Sequence, residues 1–223
     1  MTLPSARLFT MPFIRTFLMA LALVIATPVS ADDAKAEKAL TALLSDMKTL
    51  QADFTQTVLN DELEPVRESR GSFKLERPGK FRWDYTAPFR QVIVGDGTNL
   101  WTYDPELEQA TVKPMQETLA SSPASLLTGT APVGESFAIR EIGLSGKLYW
   151  MELTPRVQDT DFQSVRVAIR DGELDTMELL DNLGQITRIR FENIRRDQPI
   201  PAAEFHFTPP ENADVIGDAL PVE

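Results

Sequence analysis

The stretch ERPGKFRWDYTAP, from Glu76 to Pro88, contains the pattern that decides the fold. In its second half aromatic residues alternate with charged ones, which predicts a β-strand with one aromatic face. The aromatic positions are Phe81, Trp83 and Tyr85. A Pro-Gly pair precedes this strand and predicts a turn, and Arg77 lies at the start of that turn.

Strand patterns of the same kind extend from this stretch in both directions. They are QADFTQTVL, RGSFKLE, QVIV, LWTY, Glu108–Lys113, SFAIREI, KLYWMELTP, SVRVAIRD, LDTMELLDN and QITRIRFENI, and the tail EFHFTPPENADVIGD is predicted to add an edge strand. Pairs such as Asp96-Gly97 and Asp171-Gly172 predict turns between strands. The sequence therefore predicts nine to eleven antiparallel strands in a strongly curved sheet or barrel.

Helical periodicity occurs in two parts of the chain. From Asp33 to about Leu50, leucine and methionine recur at steps of three and four residues, which predicts an amphipathic helix. Short helices are predicted at Glu117–Ala120 and Pro123–Leu127, with Gly129 as a stop signal. Because little else in the chain is available, we expect these helices to cover the apolar face of the sheet.

The first 31 residues have the features of a secretory signal peptide. Arg7 and Arg15 are their only charged residues, and the apolar run FLMALALVIA and the small-residue segment TPVSA follow. A run of about ten residues is too short for a spanning helix, which needs about 20. We expect cleavage after Ala31, which leaves residues 32–223 as a single domain in the periplasm.

Composition excludes several classes of function. Without Arg7 and Arg15, 20 basic and 33 acidic residues remain, for a net charge of about −13. An acidic surface of this kind repels nucleic acid and anionic lipid headgroups. The chain has no cysteine, so no disulfide is expected and no acylated cysteine can anchor it to a membrane. These features predict a soluble exported protein.

Catalytic motifs are not found in the sequence. His206 is the only histidine, and a zinc site without cysteine or a second histidine is not expected. There is no G-x-S-x-G motif and no glycine-rich phosphate loop. We therefore predict no enzyme, no metal and no cofactor, although a hydrolase of lipids or peptides that uses His206 is an alternative.

Eight aromatic residues could face one concave surface of the sheet. They are Phe54, Phe73, Phe81, Trp83, Trp101, Tyr103, Trp150 and Phe191. Such a surface is either a packed core or the wall of a cavity for an apolar ligand beneath the helices. Strand periodicity does not separate these interpretations, because both require the same alternation.

Four stretches together resemble the LolA family of periplasmic lipoprotein carriers, over about residues 33–218. They are ADFTQTV (52–58), GSFKLERPGKFRWDY (71–85), VGDGTNLWTYDPELEQATV (94–112) and FHFTPP (205–210). The order of R-P-x-x-F-x-W and DG-x-x-LW-x-YDP-x-x-x-QA makes the resemblance specific. It implies a mainly β (α+β) fold, an incomplete antiparallel β-barrel of about eleven strands with a helical lid over an apolar cavity.

The resemblance also implies partners and a function without catalysis. A family member receives acylated outer-membrane lipoproteins from an ABC-type transporter in the inner membrane. It carries their acyl chains across the periplasm to an outer-membrane lipoprotein receptor. We expect this chain to act in the same way, as a monomer that binds no nucleic acid.

Site residues follow from the same resemblance. Arg77 matches the arginine that fastens the lid through backbone carbonyl groups, and its lid partners are expected around Leu126, Leu127 and Thr128. Phe81 and Trp83 match cavity residues. The full set of predicted acyl-chain cavity residues is Phe54, Phe73, Phe81, Trp83, Tyr85, Trp101, Tyr103 and Trp150.

Other interpretations remain open at this point. A lipoprotein receptor of the same pathway would need the lipidation cysteine. A lipid-sensing regulator of the same fold would carry an additional domain, although a periplasmic lipid-binding protein would not. A structural β-protein with a filled core would bind no apolar ligand.

Overall fold

The computed structural model describes residues 31–115, 124–129, 132–157 and 160–221. Twelve strands occur in this part of the chain: β1 (Thr49–Leu59), β2 (Pro65–Glu76), β3 (Lys80–Ala87), β4 (Gln91–Asp96), β5 (Asn99–Asp104), β6 (Gln109–Pro114), β7 (Phe137–Ser145), β8 (Leu148–Pro155), β9 (Phe162–Arg170), β10 (Glu173–Asp181), β11 (Ile186–Arg196) and β12 (Asp214–Ile216). Apart from Ala31, the predicted signal peptide lies outside the described residues, as does the predicted helix Glu117–Ala120.

All twelve strands belong to one sheet, in the order β12-β6-β5-β4-β3-β2-β1-β11-β10-β9-β8-β7. Pairing is antiparallel except between β12 and β6, which are parallel. The long-range pair of β1 and β11 joins the two halves of the sheet. Because β12 and β7 are the ends of the order, the sheet is open. This confirms the predicted mainly β, incomplete antiparallel architecture. The short β12 is the edge strand predicted in the tail, and the count of twelve is one above the predicted nine to eleven.

Four helical elements occur in the part of the chain that the structure describes. They are α1 (Ala31–Asp46), α2 (Ala124–Thr128), α3 (Val133–Ser136) and a 3-10 helix (Ala202–Phe205). No helix in the described ranges combines the length and the apolar character needed to cross a membrane.

The first helix ends earlier than predicted. It stops at Asp46, so the expected continuation to Leu50 is wrong. The Lys48 amide donates to Asp197 Oδ1 at 2.8 Å, and the Asp197 amide donates to the Thr49 carbonyl at 3.0 Å. These bonds hold the segment beside the end of β11 as a strand. Leu50 is still buried, which is why the apolar spacing runs past the end of the helix.

The main hydrophobic core lies on one face of the sheet, called here the inner face. Leucines of α1 and α2 pack on it, namely Leu40, Leu43, Leu44, Leu126 and Leu127. The Glu141 amide in edge strand β7 donates to Asp33 Oδ1 in α1 at 2.8 Å. The helices therefore cover the inner face, as the sequence predicts, and α1 is also tied to the edge of the sheet.

The opposite, outer face is also partly covered. A second apolar cluster there contains Val94, Trp101 and Val112, with Phe207 packed against it. Polar contacts attach the same C-terminal segment to the sheet: Lys74 Nζ lies 2.7 Å from Glu204 Oε2, and Asn99 Nδ2 donates to the Leu220 carbonyl at 2.9 Å. The half of the sheet from β2 to β6 thus has apolar residues on both faces.

Candidate functional site

Four aromatic side chains form a continuous surface on the inner face, the aromatic ladder of Phe54, Phe73, Trp83 and Tyr85. Register places Phe73 opposite Trp83. Their ring centroids are 4.4 Å apart, and Phe54 lies 5.2 Å from Trp83 and 5.1 Å from Tyr85. Tilted and edge-on contacts at these spacings are favourable. The ladder therefore presents a wide apolar surface to α1 and α2.

Two glycines make room for aromatic rings on this face. A Cβ atom at Gly71 would lie 2.8 Å from Phe54 Cε1, and one at Gly95 would lie 2.8 Å from Phe81 Cδ1. Glycine weakens a strand interior because it loses more backbone freedom on folding and has no side chain to pack. At both positions the missing side chain leaves the space that the ring occupies, and at Gly71 it also avoids the backbone oxygen of Asp84.

Three of the predicted cavity residues do not lie on the inner face, so the prediction of one shared face is wrong for them. Trp101 belongs to the outer cluster, and the Tyr103 ring contacts Phe207 at 5.5 Å. Trp150 alternates with Tyr149 and Met151, which pack into the main core. The structure brings together the other five predicted residues, Phe54, Phe73, Phe81, Trp83 and Tyr85, and adds Phe191 to them.

Arg77 lies between α1 and α2. Its Nη1 donates to the carbonyl oxygen of Leu44 in α1, and its own amide donates to the Lys48 carbonyl at 2.9 Å. On the other side, its guanidinium packs against Gly129, directly after α2. Burial lowers the pKa of the Arg77 guanidinium, because leaving water disfavours the charged form. One side chain therefore links the end of α1 to the residue that directly follows α2.

The contact with α1 satisfies a need of that helix. The last carbonyl groups of a helix lack partners within it and favour a nearby positive charge, and α1 has no basic residue in its last turn. Arg77 supplies a donor to Leu44, and Arg196 Nη2 lies 3.4 Å from the carbonyl of Leu43. Two arginines, one in the turn between β2 and β3 and one at the end of β11, thus stabilise the C-terminal end of α1.

The predicted lid residues Leu126, Leu127 and Thr128 are all buried. The two leucines pack into the main core, and the Thr128 carbonyl accepts a hydrogen bond from the Gly79 amide at 3.0 Å. The turn that carries Arg77 is therefore joined to the end of α2 by backbone as well. Fastening of a movable lid by these residues stays a prediction.

Gly129 offers a direct test of the packing around Arg77. Its φ is +70°, and a Cβ atom there would overlap the Arg77 guanidinium. We expect Gly129→Ala to cost about 1–2 kcal/mol in backbone strain and, in addition, to displace Arg77. Amide exchange of Gly79, measured by NMR, should become faster, because its bond to Thr128 depends on the same packing.

The control is Gly146→Ala in the turn between β7 and β8. Gly146 has a φ of +62° and no atom within 4 Å of the added Cβ, so it shares the strain without the overlap. Equal effects of the two substitutions on Gly79 exchange would contradict the proposed packing role.

One polar atom within the aromatic ladder is unpaired. The indole Nε1 of Trp83 is buried without a hydrogen-bond partner, one of six such side-chain atoms in the described residues. A buried donor without an acceptor is costly. A ligand that brings a carbonyl group among these rings would remove that cost.

Sequence reasoning did not identify Leu44 as the acceptor for Arg77 or Arg196 as a second donor to α1. A sequence signal existed only for the helix: its last turn contains no basic residue, so its carbonyl groups need a donor from elsewhere. Gly129 was recognised as a helix stop, but its contact with Arg77 depends on the tertiary packing.

The chemistry of this site is apolar. Within the ranges that the structure describes, no three histidine, cysteine or acidic side chains are grouped so that they could hold a metal ion. The inner face offers aromatic rings, leucine side chains and one indole donor. Such a surface can hold hydrocarbon chains between the sheet and its helices.

An open, mainly β sheet with an aromatic inner face under short helices defines a class of half-barrel proteins suited to an apolar ligand. The family model described as outer membrane lipoprotein carrier protein LolA matches residues 45–208. The chain belongs to the LolA family.

Similar proteins support this membership. Two relatives are named outer-membrane lipoprotein carrier protein. The one from Dechloromonas aromatica is 41% identical over 175 residues, covering 78% of this chain and 84% of its own length. The one from Methylococcus capsulatus is 44% identical over 179 residues, covering 80% and 86%. A crystal structure of an uncharacterized conserved protein from Thermus thermophilus, 14% identical, has a TM-score of 0.53 and covers 82% of this chain and 97% of that chain, which shows a shared fold.

Proposed function

We propose that this protein is a periplasmic chaperone that carries outer-membrane lipoproteins and shields their acyl chains against the inner face. The observation that carries this proposal is the aromatic ladder in one core with the leucines of α1 and α2, with Arg77 between Leu44 in α1 and Gly129 directly after α2. The names of the two relatives, outer-membrane lipoprotein carrier protein, support the same cargo.

The packing explains how binding would be reversible. Leu40, Leu43, Leu44, Leu126 and Leu127 now cover the inner face, so an acyl chain must replace these contacts. Burial of a chain contributes about 0.8 kcal/mol per CH₂ group, which would make several fully buried chains hard to release. Because each chain displaces leucine side chains of similar character, the net gain is smaller and release becomes feasible.

The proposal also assigns partners and a location. An inner-membrane ABC-type transporter supplies the lipoprotein, and an outer-membrane lipoprotein receptor accepts it. The chain reaches the periplasm through a signal peptide cleaved after Ala31 and acts as a monomer, without catalysis or cofactor.

Release from the inner membrane tests the function directly. Purified protein is incubated with spheroplasts, and newly made lipoproteins are followed in the soluble fraction. We expect a soluble one-to-one complex. Lipoproteins that stay on the membrane although the carrier is folded and matched to its transporter would contradict the proposal.

The three tryptophans allow a test of which face binds acyl chains. In single-tryptophan variants made by phenylalanine substitution, a lipopeptide with brominated acyl chains should strongly quench Trp83. It should leave Trp101 and Trp150 nearly unchanged, because they lie outside the main core. The measurement is steady-state fluorescence during titration.

The two variants that keep Trp101 or Trp150 are the internal controls for quenching by free lipopeptide in solution. Quenching of Trp101 as strong as that of Trp83 would place the chains on the outer face and overturn the assigned site.

A further inference from the structure

A groove of about 210 Å³ lies where the inner face ends. Seven of its lining side chains carry polar groups: Gln56, Arg67, Ser69, Tyr85, Arg90, Gln91 and Asp104. We call this feature the polar groove. It is distinct in chemistry from the aromatic ladder, although Tyr85 belongs to both.

Strand alternation places the polar groove on the inner face. Gln56 follows Phe54 by two residues in β1, Tyr85 follows Trp83 by two in β3, and Gln91 precedes the core residue Ile93 by two in β4. Side chains two apart in a strand share a face. The same face therefore changes from apolar to polar along β1, β3 and β4.

Tyr85 marks the boundary. Its ring packs edge-on against Phe54 at 5.1 Å, and its hydroxyl donates to Gln56 Oε1 at 2.9 Å. Burial raises the pKa of Tyr85 to about 12, and the nearby Arg67 opposes this with a smaller effect. The hydroxyl therefore stays neutral at physiological pH; its hydrogen is donated to Gln56, and its oxygen can accept a hydrogen bond.

The charges in the groove have mixed sign. Within the described residues, neither Arg67 nor Arg90 forms an ion pair with a carboxylate. The Asp104 carboxylate accepts hydrogen bonds from the amides of Glu106 and Leu107, at 2.9 and 3.1 Å. An anionic ligand would gain from the arginines but would face Asp104. A neutral ligand with carbonyl acceptors and N–H donors matches both.

We propose that the polar groove binds the ester and amide linkage between the acyl chains and the first residues of a lipoprotein cargo, an inference that rests on the proposed carrier function. The chains on the aromatic ladder would lead directly to the groove at Tyr85. Pockets for whole drug-sized ligands occupy roughly 300–1,000 Å³, so the groove is sized for one segment of a larger ligand.

The physical need for such a site is clear. Ester and amide carbonyl groups that leave water without a partner are costly to bury. In a carrier with an entirely apolar site, the carbonyl groups where the chains join the peptide would be buried without partners, which would weaken binding. Amide, hydroxyl and guanidinium groups at that point provide partners and favour lipopeptides over plain hydrocarbons.

Two probes separate the groove from the ladder. One is a synthetic triacylated cysteinyl peptide, and the other is diphenylhexatriene, a hydrocarbon without hydrogen-bonding groups. Tyr85→Phe keeps the ring and removes the hydroxyl. We expect it to weaken lipopeptide binding about two- to tenfold, the range for one lost hydrogen bond, and to leave diphenylhexatriene binding unchanged.

Arg67→Gln is a second variant, chosen because Arg67 is exposed and its loss should not affect folding. It should weaken lipopeptide binding in the same selective way. Thr86→Val is the matched control: it removes a hydroxyl from the next residue of β3, which donates to the Arg70 carbonyl at 3.2 Å outside the groove. It should leave the binding of both the lipopeptide and diphenylhexatriene unchanged.

The outcomes distinguish the two proposals. If the unaltered protein binds diphenylhexatriene but no lipopeptide, the carrier function fails. If it binds lipopeptide and both groove variants bind it equally well, only the groove assignment fails. A loss of the same size for both probes in Tyr85→Phe would also overturn the groove, since it would reflect apolar packing.

Discussion

An Arg77→Leu variant is expected to take up lipoproteins but to deliver them at least about tenfold more slowly, since a hydrogen bond of a charged group contributes about 1.5–3 kcal/mol. In the empty protein Arg77 donates a hydrogen bond to the Leu44 carbonyl in α1 and packs against Gly129 after α2. Closure of these helices competes with acyl chains for the inner face. Without Arg77 the closed state loses stability, so the bound chains are displaced less readily.

The measurement is the rate at which a purified complex passes its lipoprotein to receptor-bearing outer-membrane vesicles. Arg140→Leu serves as the control, because Arg140 is an exposed arginine whose ion pair with Glu152 at 2.6 Å joins β7 to β8 and not to a helix. Glu152 keeps Arg166 as a second partner at 3.1 Å, and pairs that involve an exposed arginine contribute about 0–1 kcal/mol, so delivery should be normal. Wild-type delivery by Arg77→Leu would show that the helices close without it.

Phe73→Ala is expected to lower the free energy of unfolding by about 3–5 kcal/mol, the usual cost of removing a buried aromatic ring. Phe73 is 1% exposed and contacts the rings of Trp83 and Phe191. Because domains are stable by only about 5–15 kcal/mol, this loss should be easily measured by urea denaturation.

Phe89→Ala is the matched control. Phe89 is 66% exposed, and substitutions at such positions usually change stability by no more than about 0.5 kcal/mol. If Phe73→Ala cost no more than its control, the aromatic ladder would not be packed in the closed protein. Its role as a surface that exchanges leucine contacts for acyl chains would then lose its basis.

Much of the architecture was predictable from local pattern. Alternation of apolar and polar residues identified the strands of the sheet, and the three- and four-residue spacing identified α1. The error at Leu50 has a physical cause: hydrophobic spacing reports burial, and the chain stays buried as it turns from helix to strand. Hydrogen bonds from Lys48 and Asp197 decide where the helix ends.

The candidate site was predictable only in part. Within β3, alternation correctly grouped Phe81, Trp83 and Tyr85. In β5 and β8 the same rule grouped residues correctly but could not say which group faced inward. Trp101 lies on the outer face because the C-terminal segment with Phe207 buries that face as well, so strong aromatic alternation is not a mark of the inner face.

The sequence by itself determined the strands, the presence of α1, the face-sharing residues within each strand and the membership in the LolA family, because these depend on residues close together in the chain. Only the tertiary structure decided which face of each strand turns inward, and that Arg77 meets Leu44 and Gly129. Those contacts join residues far apart in sequence, and their geometry is set by strand register and helix packing, which no local pattern contains.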